Sequence, residues 1–573
     1  LPIWFIKMNI EEKSKLWLKS NLVSDADKET IRNASKEDLL DMFYKDMEFG
    51  TAGMRGVIGP GSNRMNTLTV RKATVGFAQY LLKTFGEKAK TMGVVLSCDN
   101  RHGSREFVLE SSKVLNDFGI NTYVFDSLRP TPELSFSVSY FKACGGIMIT
   151  ASHNPKEYNG YKVYDENGCQ LVPAKTDVLI PMIEALGSET EIRYETVENR
   201  GVETIVGDEV DTAFLEKVYS TSLLNEPKKI KIVFTPQHGT SYRLGIELLD
   251  HLGYELFPVL EQCTTDPDFS ATITPNPESP DAYVKAIELA KEVKADLILT
   301  TDPDADRVGV GFLNSKGEYE LHTGNQTGAL LIDYVLGTRK ALNLLPSNGL
   351  LCNTIVTSVL GNKIAASYGV ETMSFLTGFK FIGEAIEKFN TTGEKSFQFG
   401  YEESYGYIFK DFCRDKDSLE ALLMIAEMTN HYYLKGLRLD EVLDNIYKKY
   451  GYHINKLYNI FFKGADGQAK MNALLEELRE KPFNEVKGVK VIKVEDYLLQ
   501  KATTDQGTSP LTSLPKSDVL KYYLADGSWF AIRPSGTEPK CKFYYEAIDS
   551  NKEVAQNKPN LFHQYVLKSL NLD

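Results

Sequence analysis

One pattern occurs three times in this chain and restricts what it can become: an apolar strand, a turn, an amphipathic helix and a second strand. It is read first in VVLSCDNR (Val94–Arg101), a helix over 104–118 and NTYVFD (Asn121–Asp126). It returns as KIKIVFTPQHGT (Lys229–Thr240), a helix over 242–252 and YELFPV, and again as LLCNTIV after Gly349, a helix over 358–368 and ETMSFL. Such units, more than a hundred residues apart, predict three related α/β domains with mixed sheets. The last portion changes character. After a polar helix over 472–481, VKVIKVEDY, LKYYLAD, SWFAIR and KCKFYYEAI alternate as strands between turns, which predicts a smaller C-terminal α+β domain. The expected segments are 1–205, 206–325, 326–455 and 456–573, matching the prior of about four domains for this length.

Composition narrows the class of partner. With 42% hydrophobic and 25% charged residues the chain reads as ordinary globular protein. A formal net charge of -13 argues against a general nucleic-acid or anionic-membrane binder, so a phosphorylated ligand needs local positive patches. Seven cysteines, odd in number and without CxxC spacing, fit reduced thiols and a cytoplasmic location better than a disulfide framework or a zinc site. No apolar run is long enough to span a bilayer. LPIWFIK at the start is too short for a secretory signal; Met8 is a plausible natural start, and residues 1–7 are set aside from the fold argument.

Six stretches carry chemistry. TASHNPKEYNGYKVY (Thr150–Tyr164) follows the apolar run 146–149, so Ser152 stands at the mouth of a sheet, with His153 beside it and Lys162 on the returning strand. An exposed hydroxyl, a proton-managing neighbour and a cation are what a phosphate-carrying serine requires. FGTAGMRGVIGPGSNRMN (Phe49–Asn66) follows a helical start capped at Ser24 and Ser35, and offers a glycine-rich loop with Arg55 and Arg64. DPDADRVGVGF (Asp302–Phe312) follows a helix over 283–293 and the buried strand DLILTT. Pro303 favours an extended Asp302, which predicts Asp302, Asp304 and Asp306 at alternate positions facing one side. Three such carboxylates repel unless a cation sits among them, and all-oxygen ligation suits Mg²⁺, while Arg307 offers a fork for phosphate. FGYEESYGY (Phe399–Tyr407) places Glu402, Glu403 and Ser404 in a turn suited to gripping sugar hydroxyls; TGFKFIG (Thr377–Gly383) adds Thr377 and Lys380. RPSGTEPK (Arg533–Lys540) leaves a strand and can cradle phosphate through Arg533, Ser535, Gly536 and Thr537. It lies far along the chain from Ser152, which predicts a substrate gripped between domains.

Together these stretches resemble the α-D-phosphohexomutase superfamily, and FGTAGMRG with GYEESYG resembles its branch of phosphoglucomutases and phosphopentomutases. The resemblance runs from about Trp17 onward with four motifs in order. It implies four domains around a central cleft, a phosphoserine at Ser152, and Mg²⁺ held by Asp302, Asp304, Asp306 and the Ser152 phosphoryl oxygen. It further implies a sugar loop at Glu402 and Ser404 and a phosphate loop at Arg533, Ser535, Gly536 and Thr537. Lys162 and Lys416, the latter in RDKDS, match lysines of proton transfer or charge stabilisation; Arg55, His153, Arg307 and Thr377 match other substrate contacts. Two departures stand out: Tyr401 where Gly is frequent, and Ser418 where Gly usually follows DKD.

The activity so implied is interconversion of glucose 1-phosphate and glucose 6-phosphate through glucose 1,6-bisphosphate, which also serves as activator. The alternatives are a phosphopentomutase or phosphomannomutase of the same mechanism, a Mg²⁺-dependent sugar phosphatase or kinase, and a non-catalytic sugar-phosphate-binding protein. No GxxxxGK[ST] loop supports a kinase, and Ser152 and the aspartate trio are both present. The expected partners are small-molecule sugar phosphates, with no nucleic acid and no membrane, and the expected state is a monomer or weak homodimer.

Overall fold

A computed structural model describes residues 3–50, 53–462, 467–511, 513–535 and 540–572, with side chains described from residue 10 onward except at 468. The chain packs as two compact units, Leu1–Gly324 with Phe379–Gly436, and Asn325–Gly378 with Leu437–Asp573.

The first unit opens with helices Ile3–Lys19, Asp25–Asn33 and Lys36–Phe43, and both expected caps are present. Ser24 accepts from the Asp27 N–H, and Ser35 with Asp38 forms a capping box, which satisfies donors that a helix start leaves unpaired. The first sheet then uses β1 (Met54–Val57), β2 (Val94–Cys98), β3 (Thr122–Phe125), β4 (Gly145–Ile149), β5 (Tyr158–Tyr164) and β6 (Glu203–Val206), in the order β1-β5-β4-β2-β3-β6. Strands β4, β2, β3 and β6 run parallel, while β5 and β1 are antiparallel to their neighbours. Every residue of β2 and β4 is buried, the mark of strands covered on both faces. Helices Thr67–Phe85 and Ser104–Asp117 cover one face through Phe77, Leu81, Val108 and Leu115, and helix Thr131–Phe141 covers the other through Leu134 and Val138.

The second sheet repeats this plan with β7 (Lys231–Thr235), β8 (Glu255–Pro258), β9 (Leu297–Thr301), β10 (Val308–Leu313) and β11 (Tyr319–His322), in the order β11-β10-β9-β7-β8. Again a parallel set, β8, β7 and β9, is followed by an antiparallel partner, β10. In the third repeat β12 (Gly349–Thr354) and β13 (Glu371–Phe375) form the parallel pair within the second unit. Strands β14 (Ser396–Glu402) and β15 (Gly406–Ile408) form the antiparallel pair within the first. A parallel set followed by an antiparallel partner thus appears in both of the first two sheets.

The C-terminal part is the expected α+β layer. Strand β16 (Tyr452–Phe461) leads into β17 (Glu485–Val486), β18 (Val489–Asp496), β19 (Lys501–Thr504), β20 (Gly507–Pro510), β21 (Leu520–Leu524), β22 (Trp529–Pro534) and β23 (Lys540–Asp549). All pairings among them are antiparallel among the described residues. One face buries a ladder of aromatics, with Tyr522 stacked on Phe530 at 4.5 Å and Phe530 on Tyr545 at 5.7 Å, under helix Lys552–Ser569. The helix expected over 472–481 is longer, Gly467–Glu480, because Met471, Leu474, Leu475 and Leu478 continue one buried stripe. Among the described residues no helix is long and apolar enough to cross a membrane.

Candidate active site

Equivalent loops of the repeats carry the chemistry. The turn from the last parallel strand into its antiparallel partner holds Ser152 between β4 and β5 and the aspartates between β9 and β10, and the turn between the antiparallel β14 and β15 holds Glu403 to Tyr405. All three loops belong to the first unit.

Ser152 is buried and adopts a left-handed backbone (φ 53°), a conformation that costs a non-glycine residue on the order of 1 kcal/mol or more. The surroundings hold it there. Its N–H donates to Thr150 Oγ1 (2.8 Å), and that hydroxyl donates to Asp99 Oδ2 (2.6 Å). The buried Arg101 pairs with Asp99 and donates from Nη1 to the carbonyls of Pro155 (2.7 Å) and Tyr158 (3.0 Å). From Nη2 it reaches those of Ser152 (2.7 Å) and Asn154 (2.5 Å). One rigid guanidinium thus ties down four carbonyls of the loop, which a lysine could not do. Ser152 Oγ is left to donate to Asp302 Oδ2 at 2.8 Å, with His153 Nδ1 3.3 Å away. Burial, reinforced by the charges of Arg307 and Arg55, pushes the His153 imidazole well below its ordinary value, so it stands neutral. Arg55, on β1, is exposed and donates to Asn154 Oδ1 (3.0 Å).

The aspartates do converge, but not by alternation along an extended strand. Residues 302–305 make a turn, with the Ala305 N–H on the Asp302 carbonyl (3.0 Å) and Ala305 left-handed (φ 56°). Asp302 Oδ1 accepts the N–H groups of Asp306 (3.1 Å) and Arg307 (3.0 Å), which curls the loop around that carboxylate. Three segments brace it from behind: the N–H groups of Thr131, Thr240 and Ser418 donate to the carbonyls of Asp304, Pro303 and Ala305 at 2.9, 2.8 and 3.3 Å. Each of these residues stands at or just before the start of a helix, Thr131–Phe141, Tyr242–His251 and Ser418–Leu434.

One oxygen from each of Asp302, Asp304 and Asp306 lies within 4.8 Å of the others, and all three residues are buried. Asp304 Oδ1 and Asp306 Oδ1 accept no hydrogen bond from the protein. Buried, oxygen-only and partly unsatisfied, this trio fits a metal ion. Burial, with the charges of Asp306 and Asp304, holds Asp302 well above the carboxylate range. Burial acts the same way on Asp306, but Lys416, Lys162 and Arg307 outweigh it and hold that carboxyl well below. Lys162 Nζ lies 2.8 Å from Asp304 Oδ2 and 3.6 Å from Asp306, while Lys416 Nζ lies 3.2 Å from Asp306 and 3.8 Å from Glu402. Burial opposes the charge on both lysines, yet their carboxylate neighbours raise both above the ordinary value, so both stay cationic.

The sugar-type loop joins the same cluster. The Val308 N–H donates to the Tyr405 carbonyl (3.0 Å), and Gly406 has no side chain because Lys416 passes there: a Cβ would lie 2.0 Å from Lys416 Cδ. Burial pushes Glu402 up to about 7 against the pull of Lys416. Ser404 is half-buried in the turn, and Lys380 is buried at the start of helix Lys380–Thr392. Tyr401 stacks on Phe399 in the core, on the strand face opposite Glu402, so this departure does not reshape the site. Arg64 is turned away and paired with Asp41.

In the second unit Thr377 is half-buried in the bend after β13, and Arg533, next to last in β22, lies opposite Lys542 on β23. The Ser535 N–H donates to the Lys540 carbonyl (2.7 Å). Gly536 and Thr537 lie outside the described residues. The sequence reading missed Asp99, Arg101 and Thr131. Their position just past the carboxyl ends of parallel strands, where α/β sites gather, is the signal that could have pointed to them.

Comparison with known proteins shows the family. Family models described as phosphoglucomutase/phosphomannomutase match their alpha/beta/alpha domains I, II and III at residues 46–189, 212–314 and 323–450, and their C-terminal domain at 471–564. A phosphoglucomutase of Staphylococcus epidermidis is 36% identical over 552 residues, covering 95% of this chain and 99% of the relative. One of Staphylococcus haemolyticus is 36% identical over 527 residues, covering 90% and 93%. Among solved structures, a putative phosphomannomutase of Thermus thermophilus shares the fold at a TM-score of 0.67 and 22% identity, covering 92% of this chain and 99% of the other. The parafusin phosphoglucomutase of Paramecium does so at 0.66 and 19%, covering 92% and 95%. With all four domains matched in order and a relative 36% identical over 95% of the chain, the chain belongs to the phosphoglucomutase/phosphomannomutase family of the α-D-phosphohexomutase superfamily.

Proposed function

We propose that this protein interconverts α-D-glucose 1-phosphate and glucose 6-phosphate, with Ser152 as the phosphoryl carrier. The observation that carries the reading is the Ser152 hydroxyl, fixed on a braced loop and bonded at 2.8 Å to one carboxylate of a buried aspartate trio. Staphylococcal relatives named phosphoglucomutase, covered over nine tenths or more of their length, support glucose as the sugar.

Phosphorylated Ser152 gives its phosphoryl group to the free hydroxyl of bound glucose 1-phosphate. The P–Oγ bond breaks, a P–O bond to the sugar forms, and the proton lost by the sugar hydroxyl is returned at Ser152 Oγ. Neutral His153, 3.3 Å from Oγ, can hold that proton in passing, and Lys162 and Lys416 compensate the charge of the transferring group. Glucose 1,6-bisphosphate then turns about while bound, and the other phosphoryl group returns to Ser152. Glu402 and Ser404 take the sugar hydroxyls, and Thr377 and Lys380 further substrate contacts. Arg55 and Arg307 take phosphate oxygens, and Arg533, Ser535, Gly536 and Thr537 the phosphate that is not reacting. Asp302, Asp304 and Asp306 would hold the metal, for which hard oxygen donors favour Mg²⁺; when bound it neutralises charge on the transferring phosphoryl group. Sugar phosphates as partners, a cytoplasmic setting and a monomeric or weakly dimeric state complete the proposal.

A coupled assay of glucose 1-phosphate with and without glucose 1,6-bisphosphate tests it. Glucose 6-phosphate formation stimulated by the bisphosphate is expected. Release of inorganic phosphate would indicate a phosphatase, and equal or better turnover of ribose 1-phosphate or mannose 1-phosphate would overturn the choice of sugar.

A further inference from the structure

Arg307 does not stand free beside the aspartates. Its Nη1 donates to Glu278 Oε1 at 2.5 Å, while its Nε is buried, makes no hydrogen bond and lies 3.9 Å from Asp306 Oδ1. The guanidinium therefore has a donor to spare, and the carboxylate that it hydrogen-bonds is a third exposed. It also stands close to the hydroxyl proposed to carry phosphate. Its backbone N–H bonds the same Asp302 carboxylate that accepts Ser152 Oγ, and its charge bears on His153, the neighbour of that hydroxyl.

Glu278 is delivered to this place by a built turn. The Glu278 N–H donates to Asn276 Oδ1 (3.1 Å), the Ser279 N–H to the Asn276 carbonyl (2.9 Å), and the Tyr283 hydroxyl to the Pro277 carbonyl (2.8 Å). Gly309, two residues past Arg307, lets this turn press against β10: a Cβ there would lie 1.9 Å from the Tyr283 hydroxyl and 3.0 Å from Pro277. Such fixing is more than an ordinary partly exposed ion pair requires, since such pairs contribute little to stability.

We propose that Glu278 is a built-in stand-in for phosphate: in the phosphate-free protein its carboxylate occupies Arg307, and an incoming phosphoryl group displaces it. A carboxylate matches one edge of a guanidinium as a phosphate does, so the fork stays aimed and desolvated between turnovers. The same competition weakens phosphate binding, which a mutase needs in order to let both bisphosphate orientations and the product leave. This deepens the proposed mutase reading by assigning regulation of affinity to a residue outside the aspartate, serine and sugar loops.

The test measures binding of inorganic phosphate to the dephosphorylated full-length protein by calorimetry, in parallel with kcat and KM for glucose 1-phosphate. Glu278→Gln keeps an acceptor but removes the competing charge. Phosphate affinity is expected to rise about three- to tenfold and KM to fall, without a rise in kcat. Glu278→Asp, which keeps the charge, is expected to stay near the parent. The gain should vanish when Arg307→Met is present in both members of the pair. Weaker phosphate binding and a higher KM in Glu278→Gln would show a plain strut for Arg307 and overturn the proposal. So would unchanged affinity, or a gain that survives Arg307→Met. Phosphate binding is read without turnover, so a protein inactive on glucose 1-phosphate would sink the mutase reading while leaving this comparison intact.

Discussion

The Ser152 loop and the aspartate loop occupy the same position in two matching sheets, yet they are stabilised in opposite ways. Between β4 and β5 a side chain organises backbone: Arg101 gathers the carbonyls of Ser152, Asn154, Pro155 and Tyr158. Between β9 and β10 backbone organises side chains, because the N–H groups of Thr131, Thr240 and Ser418 hold the carbonyls of the loop while its carboxylates point forward. The difference follows from what each loop must present. A single hydroxyl needs a fixed backbone beneath it, whereas three buried carboxylates need a braced backbone and nearby cations that still leave Asp304 Oδ1 and Asp306 Oδ1 without a hydrogen bond.

The largest way to test the contrast is Ser152→Ala, expected to lower kcat at least about a thousandfold with folding unchanged by circular dichroism. Near-normal turnover would end the carrier assignment. Asp306→Asn should follow, with about a hundredfold loss and a weakened response when the chelator-treated protein is titrated with Mg²⁺. An unchanged metal response would mean that the second loop is not the metal loop.

Arg101→Lys keeps the charge but loses the fork. It is expected to lower kcat about tenfold and stability by about 2 kcal/mol, read by urea unfolding, while leaving the Mg²⁺ response alone. A change in metal affinity of the same size would blur the division between the two loops.

Glu402 sharpens the comparison through pH. Its folded value, about 7, lies above the unfolded carboxylate value, so the folded state binds the extra proton and stability falls as pH rises through that window. Sugar gripping needs the ionised form, so kcat/KM should fall about tenfold per unit as pH drops below 7. In Glu402→Gln that acid limb should disappear.

The smallest effect concerns the back of the aspartate loop. Glu133 is fully buried, neither oxygen has a hydrogen-bond partner, and burial pushes it up to about 8. Because the folded value is raised, Glu133 costs stability as pH rises from about 4.5 to 8. Glu133→Gln should therefore gain on the parent across that range, by on the order of 1 kcal/mol, with activity little changed; a gain that is constant with pH would exclude the buried charge as its cause.

Much of this was legible in the chain. The repeated unit announced three α/β domains because parallel strands buried on both faces must be written as unbroken apolar runs, as in VVLSC and LILTT. Ser152, the aspartates and Glu402 could be picked out because Pro, Asn and Gly mark the turns that carry them. The means of convergence was not legible. Asp302, Asp304 and Asp306 meet through a left-handed Ala305, a conformation that the residue type disfavours and only the surrounding bonds enforce. Tyr401, a departure in the motif, is a core residue, since strand alternation turns it away from Glu402.

What the sequence determined by itself is local: strand and helix periodicity, the turns, and the residue types placed in them, each set within a few residues by sterics and patterning. Tertiary structure alone decided which groups meet. Ser152 bonds Asp302 across 150 residues, Lys162 pairs with Asp304 across 142, and Arg307 takes Glu278 from a turn 29 residues earlier. The physical reason is that a charge or a hydroxyl carries no record of its partner. Burial makes an unpaired polar group costly, and only the packed fold determines which groups are buried together.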